Sequence, residues 1–509
     1  MCEDGGEQPA PRLLRLLTRS EYERTVRDLL YLQGAGDIDL ARLPLEARVL
    51  GYDNNARSQA VTSRHIDAYL ELNDGLAKRA WDQSRGQLLP CDAAQAACHD
   101  QFVRSFGRRA FRRPLNDEEV GRYVAMLTAA GAGDPAVGVQ QVISAMLMSP
   151  HFLYRSEVGE AADGAFVLTP YEVASALSYA YWGSMPDDAL LDAAQRGELA
   201  TAEQREAQAR RLLSDPQAEE QLYQFSLQWL GTYRVQDAFK DDTHFPQFND
   251  AVREAMLQEQ RELFVQVVMR DDGNLRDLYL PGYAFVNQPL SDYYEMPGAG
   301  QEFTQVASPD GVRGGILGLG AVHAAHAHSN ESSPIKRGVF VRRQLLCHAL
   351  LPPPPSLNTT PPGLDPTLTT RERFALHTQS AACASCHQFI DGVGFGLEGF
   401  DGAGKWRDQE NGLPLDTSGE VIGLEGLAQT DRHPFDGPNE LSELIVESEA
   451  GPACVALQFY RFSRGYEERK ADACSLQRLR DRFEASGHNM RELFIALSGL
   501  ESFVTREEG

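Results

Sequence analysis

Apolar residues recur along most of this chain at intervals of three and four, the spacing of helices that bury one face. Thr18-Arg19-Ser20-Glu21 sets a capping hydroxyl three residues ahead of a returning carboxylate, and Tyr22, Val26, Leu29 and Leu30 follow as an apolar stripe. A second helix is expected over 63–81. Two more lie within 102–127, separated by Pro114, the second opened by Asn116-Asp117-Glu118-Glu119. Thr169-Pro170-Tyr171-Glu172 starts the next helix, which Gly183 ends, and the same period predicts helices over 191–198, 203–213, 218–229, 251–269 and 275–279. Met256 and Met269 read as core residues of that series.

After Gly282 the pattern breaks up. Glycines at 298, 300, 311, 314, 315, 318 and 320 mark turns, a helix is expected over 335–350, and Leu351-Pro352-Pro353-Pro354-Pro355 reads as a stiff polyproline boundary. A short helix through Phe374, an irregular glycine-rich loop over 392–423 and four closing stripes between Glu440 and Phe503 complete a mainly α chain. The expected organisation is a helical unit over 12–85, a helical unit with an arginine cluster over 90–160, a helical domain over 165–297, a cytochrome-c-like haem module over 311–425 and a C-terminal helical unit over 430–505.

The one stretch with specific chemistry is Cys383-Ala384-Ser385-Cys386-His387. Two thiols three residues apart can each add to a haem vinyl group, and the adjoining imidazole then ligates the iron. Cys383 and Cys386 are the expected anchors of one haem c and His387 the iron ligand. Two other readings compete. A zinc knuckle wants a second Cys or His pair nearby, whereas the next cysteine is Cys454; a thioredoxin-like dithiol wants a preceding strand.

The second axial position separates an electron carrier from a haem enzyme, because only an open or weakly held sixth site can bind substrate. His323, His326 and His328 stand among small residues in what reads as an accessible, irregular loop, and His326 leads them as sixth ligand. In the enzyme reading the same three are candidate distal acid-base groups. Met490, His377 and His433 are lesser candidates. Phe395, Phe400 and Trp406 are expected to pack on the porphyrin, and Arg407 or Lys405 to pair with a propionate.

Charge narrows the partners. With 73 acidic against 48 basic residues, the net charge of -25 repels nucleic acid and anionic lipid and favours a basic redox partner protein or a small-molecule substrate. The arginines at 104, 108, 109, 112 and 113 read as partners for the chain's own carboxylates. No apolar run is long enough to span a bilayer.

Haem attachment implies an oxidising compartment, the bacterial periplasm or cell surface, with Met1 replacing a natural leader and Cys2 the lipid-acceptor cysteine of a lipoprotein. Disulfides are expected for Cys91 with Cys98 and for Cys454 with Cys474, leaving Cys347 without an evident partner.

Several of these segments together resemble a known family, the planctomycete-type c-cytochrome proteins built from consecutive domains of unknown function. The likeness rests on 17–22 with Arg27-Asp28-Leu29-Leu30, on 106–115, on Ser332-Ser333-Pro334-Ile335-Lys336-Arg337-Gly338, and on the haem motif followed by Ile390-Asp391, Gly394-Phe395, Phe400-Asp401 and Lys405-Trp406-Arg407. It implies an exported, mainly helical, haem-binding protein. The family usually has proline where this chain has Gly392, which implies a looser loop there. Monohaem electron transfer outside the cytoplasm is the leading expectation, a peroxidase- or oxygenase-like oxidoreductase the second, and a surface binding scaffold with a structural haem the third.

Overall fold

The computed structural model describes all residues except 1–5, 34–37, 163, 299, 309–310, 351–359, 361, 378–380, 428–430 and 509; the side chains of 377, 381, 382 and 385 also lie outside the description. Cys2 and the polyproline segment therefore fall outside the described residues. Helices dominate, with only small two- and three-stranded sheets among the described residues. None of the described helices is long and apolar enough to cross a membrane. The chain divides into two compact units: residues 1–221, 460–479 and 494–509 form the first, and 222–459 with 480–493 the second.

In the first unit the caps act as the sequence predicts. Thr18 and Glu21 close a capping box on helix Arg19–Leu30, Asn116 and Glu119 on Asp117–Ala130, and Thr169 and Glu172 on Pro170–Tyr181. The second helix runs further than expected, Ser63–Leu88, because Ala77, Ala80, Ser84 and Leu88 continue its buried stripe. Tyr22, Val26, Phe102, Phe106, Ile143 and Phe152 meet in one core.

Strand Leu13–Leu16 pairs antiparallel with Tyr154–Glu157, and their register sets Arg15 opposite Arg155. Those two buried cations are answered by buried carboxylates. Glu157 binds Arg15 at 3.2 Å and Arg506 at 2.7 Å, and Glu21 binds Arg155 at 3.1 Å.

The expected arginine island is likewise taken up internally. Arg104 pairs with Asp100 and Asp117, Arg108 with Asp192 and Arg113 with Glu119, while Arg109 donates to the Asp28 carbonyl and Arg112 to those of His151, Phe152 and Tyr154.

In the second unit, helix Asp250–Val265 carries Met256 into the core and ends in a π-helical turn, Gln266–Arg270, with Met269 only half-buried. The helix expected over 335–350 stops early: Pro334–Phe340 passes into a second π-helical turn, Val341–Leu345. The glycine-rich segment expected to be irregular is ordered as helix Asp391–Phe395 and strands Gln409–Glu410, Leu413–Pro414 and Ser418–Ile422, the last paired with Arg432–Asp436. Val421 and Phe435 are buried there, a period-two signal too short to read alone. Gly392 is helical rather than loose, and the Glu420 carbonyl lies where a Cβ would stand.

The four closing stripes form helices Gly437–Glu447, Ala450–Arg464, Ala473–Ala485 and Met490–Gly499. Cys91 joins Cys98 as expected, but Cys454 joins Cys347, not Cys474, which is in a disulfide of its own. The reason is tertiary. Gln458, one helical turn beyond Cys454, donates to the Gln344 carbonyl and so faces this helix toward the π-helical turn just before Cys347.

Candidate functional site

Helix Ala381–His387 follows helix Thr370–His377, and among the described residues no strand of the kind a thioredoxin-like site requires comes just before it. Cys383 and Cys386 stand three apart on it, hence on one face, and both are thiols; Cys386 is exposed and Cys383 half-buried. His387 closes the helix, and its Nδ1 lies 2.7 Å from Oδ1 of Asp391, four residues on. With Nδ1–H donated to that carboxylate, Nε2 carries the lone pair outward, the arrangement that orients a metal-ligating imidazole. Two same-face thiols followed by an oriented imidazole are the donor set of a c-type haem, and the residues present fit it. Among the described residues no cluster of three or more His, Cys, Asp or Glu is placed to hold a metal ion by itself.

The segment that follows this helix is held by Ser332 to Gly338. Helix Pro334–Phe340 crosses Asp391–Phe395 so closely that a Cβ on Gly338 would strike the Ile390 carbonyl and one on Gly394 the Pro334 carbonyl. Buried Arg337 donates to the carbonyls of Leu397 (2.9 Å), Phe400 (2.7 Å) and Asp401 (2.6 Å) and pairs with Glu398 at 3.1 Å. Ser332 donates to the other Glu398 oxygen at 2.6 Å. This motif therefore fixes the chain just beyond the C-x-x-C-H run.

Of the three aromatics expected to cover a porphyrin, two are brought together. Phe400 is fully buried and meets Trp406 edge-on, their ring centres 4.9 Å apart. Phe395 lies apart from them, with the Arg371 guanidinium 5.1 Å above its ring.

The histidines do not form an accessible loop. His323 sits in helix Gly320–Ala325, fully buried, stacked on Phe400 at 3.7 Å, with Nε2 bonded to the Leu317 carbonyl at 2.8 Å and Nδ1 without a partner. His326 caps the same helix, half-buried, with Nε2 at 2.9 Å from the Leu230 carbonyl and its ring on Phe340. Burial pushes His323 well below its usual value and His326 down to about 3, so both are neutral.

His328 is half-buried beside Lys336, its Nδ1 3.2 Å from the ammonium. Burial and that neighbour lower it too. His433 is buried in strand Arg432–Asp436 and Met490 at the start of its helix, while the side chain of His377 lies outside the description.

The residues expected to meet a propionate are already taken. Lys405 pairs with Glu295 at 2.6 Å and Arg407 with Glu410 at 3.1 Å. Two further side chains contact the motif and the residues just after it. Asp391 was legible in principle, four residues after His387 in a helical pattern. Arg342 carries no motif, and only the packed turn places it against the Phe389 carbonyl.

The protein is mainly helical, and the names of the family models it matches suggest a cytochrome-like, multi-domain type. Models of proteins of unknown function match in succession: DUF1587 over 15–82, DUF1595 over 98–157, DUF1592 over 168–296, DUF1588 over 313–410 and DUF1585 over 431–503. The chain thus carries five consecutive planctomycete-type domains, and the model that contains the C-x-x-C-H run bears a cytochrome-type name, PSCyt3. No curated protein and no solved structure was found to match it.

Proposed function

We propose that the chain is a monohaem c-type cytochrome acting in electron transfer outside the cytoplasm. Cys383 and Cys386 hold the porphyrin as thioethers, His387 ligates the iron through Nε2, and Asp391 keeps that imidazole in one tautomer and one orientation. The bound haem supplies one-electron chemistry at its iron. The single observation that carries this reading is the pairing of two same-face thiols with an imidazole whose far nitrogen is fixed by Asp391 at 2.7 Å. Disulfides at Cys91–Cys98 and Cys347–Cys454 support an oxidising compartment, and the acidic surface suits a basic partner.

A specific observation favours a second reading, an oxidoreductase with an open sixth site. Both His323 and His326 spend Nε2 on backbone carbonyls, and ligation through that atom would break a buried hydrogen bond. An optical spectrum of the haem-loaded protein, with and without cyanide or peroxide, separates the two. A low-spin spectrum indifferent to both ligands is the expected result for a carrier. Rapid binding to a high-spin iron sinks the carrier reading in favour of the enzyme, and absence of a haem band in protein from a host competent for cytochrome maturation sinks both.

A further inference from the structure

Arg342 lies in the π-helical turn Val341–Leu345, only 1 % exposed. Its Nε donates to the Phe389 carbonyl at 2.6 Å, two residues beyond His387, and its guanidinium lies 5.9 Å from the centre of the Phe389 ring. One terminal nitrogen is 3.0 Å from Nδ1 of His348, and the other has no hydrogen-bond partner among the described residues. Every acceptor it has is neutral.

Burial alone pushes this guanidinium down, to about 10, with no carboxylate among the described residues pulling it back. Glu425 acts on His348 and not on Arg342.

Three other arginines of the same unit meet carboxylates. Arg337 meets Glu398, Arg373 meets Glu331 at 2.6 Å, and Arg407 meets Glu410. A buried cation left without an anion is costly, and chains rarely keep one unless something else supplies the charge. Here the orphan nitrogen sits beside the segment that carries the haem motif.

We infer that Arg342 is the counter-ion of a haem carboxylate, a propionate of the porphyrin held at Cys383, Cys386 and His387. The inference rests on the haem reading above and replaces Lys405 and Arg407, whose charges are already met. Arg342 is a positioning residue: its bond to the Phe389 carbonyl and its bond to the propionate together tie the porphyrin edge to the end of the motif.

The test is an absorbance titration of the reduced, haem-free full chain with iron protoporphyrin IX and with its dimethyl ester, which lacks the charges. The wild-type chain is expected to bind the diacid about tenfold to a hundredfold more tightly, the worth of one charge-assisted hydrogen bond. Arg342→Met should bind both porphyrins alike, and Arg342→Lys should keep part of the preference. Equal binding of acid and ester by the wild type overturns the inference even if no variant folds, and so does an undiminished preference in Arg342→Met. Failure to bind either porphyrin overturns the haem reading itself, a distinct outcome from binding without preference.

Discussion

A buried arginine site in the first compact unit differs from one in the second. In the first, Arg15 and Arg506 converge on Glu157, and Arg155 on Glu21, so the cations are answered by the chain's own carboxylates. In the second, Arg342 faces only a carbonyl and a neutral imidazole. A closed network of this kind holds elements in register and has no need of a ligand. An open one leaves a charge to be met, and under the inference above a haem carboxylate meets it.

The contrast extends to carboxylates. Burial would raise Glu157, but Arg15 and Arg506 hold it far below the ordinary carboxylate range. Glu259 in the second unit is 1 % exposed, accepts from the Tyr294 hydroxyl at 2.8 Å and has one oxygen unpartnered; burial pushes it up to about 8 despite the nearby Arg313.

The largest effect should come from breaking the closed network. Glu157→Gln leaves Arg15 and Arg506 buried together without their anion, and the first unit should lose about 3–5 kcal/mol in urea unfolding. Because the folded-state value of Glu157 is depressed, its contribution is complete above the usual carboxylate range and is lost only as the pH falls well below it. A loss under about 1 kcal/mol would show that the network is incidental.

Next comes the axial support. Asp391→Asn removes the anionic acceptor of His387 and should weaken binding of iron protoporphyrin by about tenfold to a hundredfold. Binding of the iron-free porphyrin should not change, and an equal loss for both would mean that Asp391 merely shapes the helix.

Removing the open cation should do the reverse of opening the closed network. Arg342→Met in the haem-free chain should leave stability unchanged or raise it by about 1–2 kcal/mol, since it deletes an unmet charge. Thermal unfolding of the haem-free variant measures this, and a loss of several kcal/mol would place Arg342 with the structural arginines of the first unit.

The smallest effect concerns Glu259. Its folded value lies above the ordinary 4.5, so its contribution is complete below about pH 4.5 and declines as the pH rises through about 8. Glu259→Gln should cost less than about 1 kcal/mol in acid and remove that decline from the stability profile. A profile unchanged by the substitution would mean that Glu259 is ionised in the fold.

Local signals were legible wherever one residue answers another within a turn or two. The capping boxes at Thr18, Asn116 and Thr169, the Cys91–Cys98 bridge and the C-x-x-C-H run are all short-range facts. The expected histidine loop failed because small residues around His323 and His326 allow close helical packing as readily as they allow a turn. The Cys347–Cys454 bridge spans 107 residues, and no local pattern encodes which sulfur a helix will face.

By itself, then, the sequence determined the helical class, the places where helices begin, and the residue types able to fasten a haem, because hydrogen bonds between near neighbours and the reactivity of thiol and imidazole belong to a few adjacent residues. Tertiary structure alone decided that Arg337 locks the stretch after the motif, that His323 is sealed in, and that Arg342 has no carboxylate beside it among the described residues. Burial and charge compensation depend on which distant groups the fold packs against a side chain, and that sum is taken only once the chain is folded.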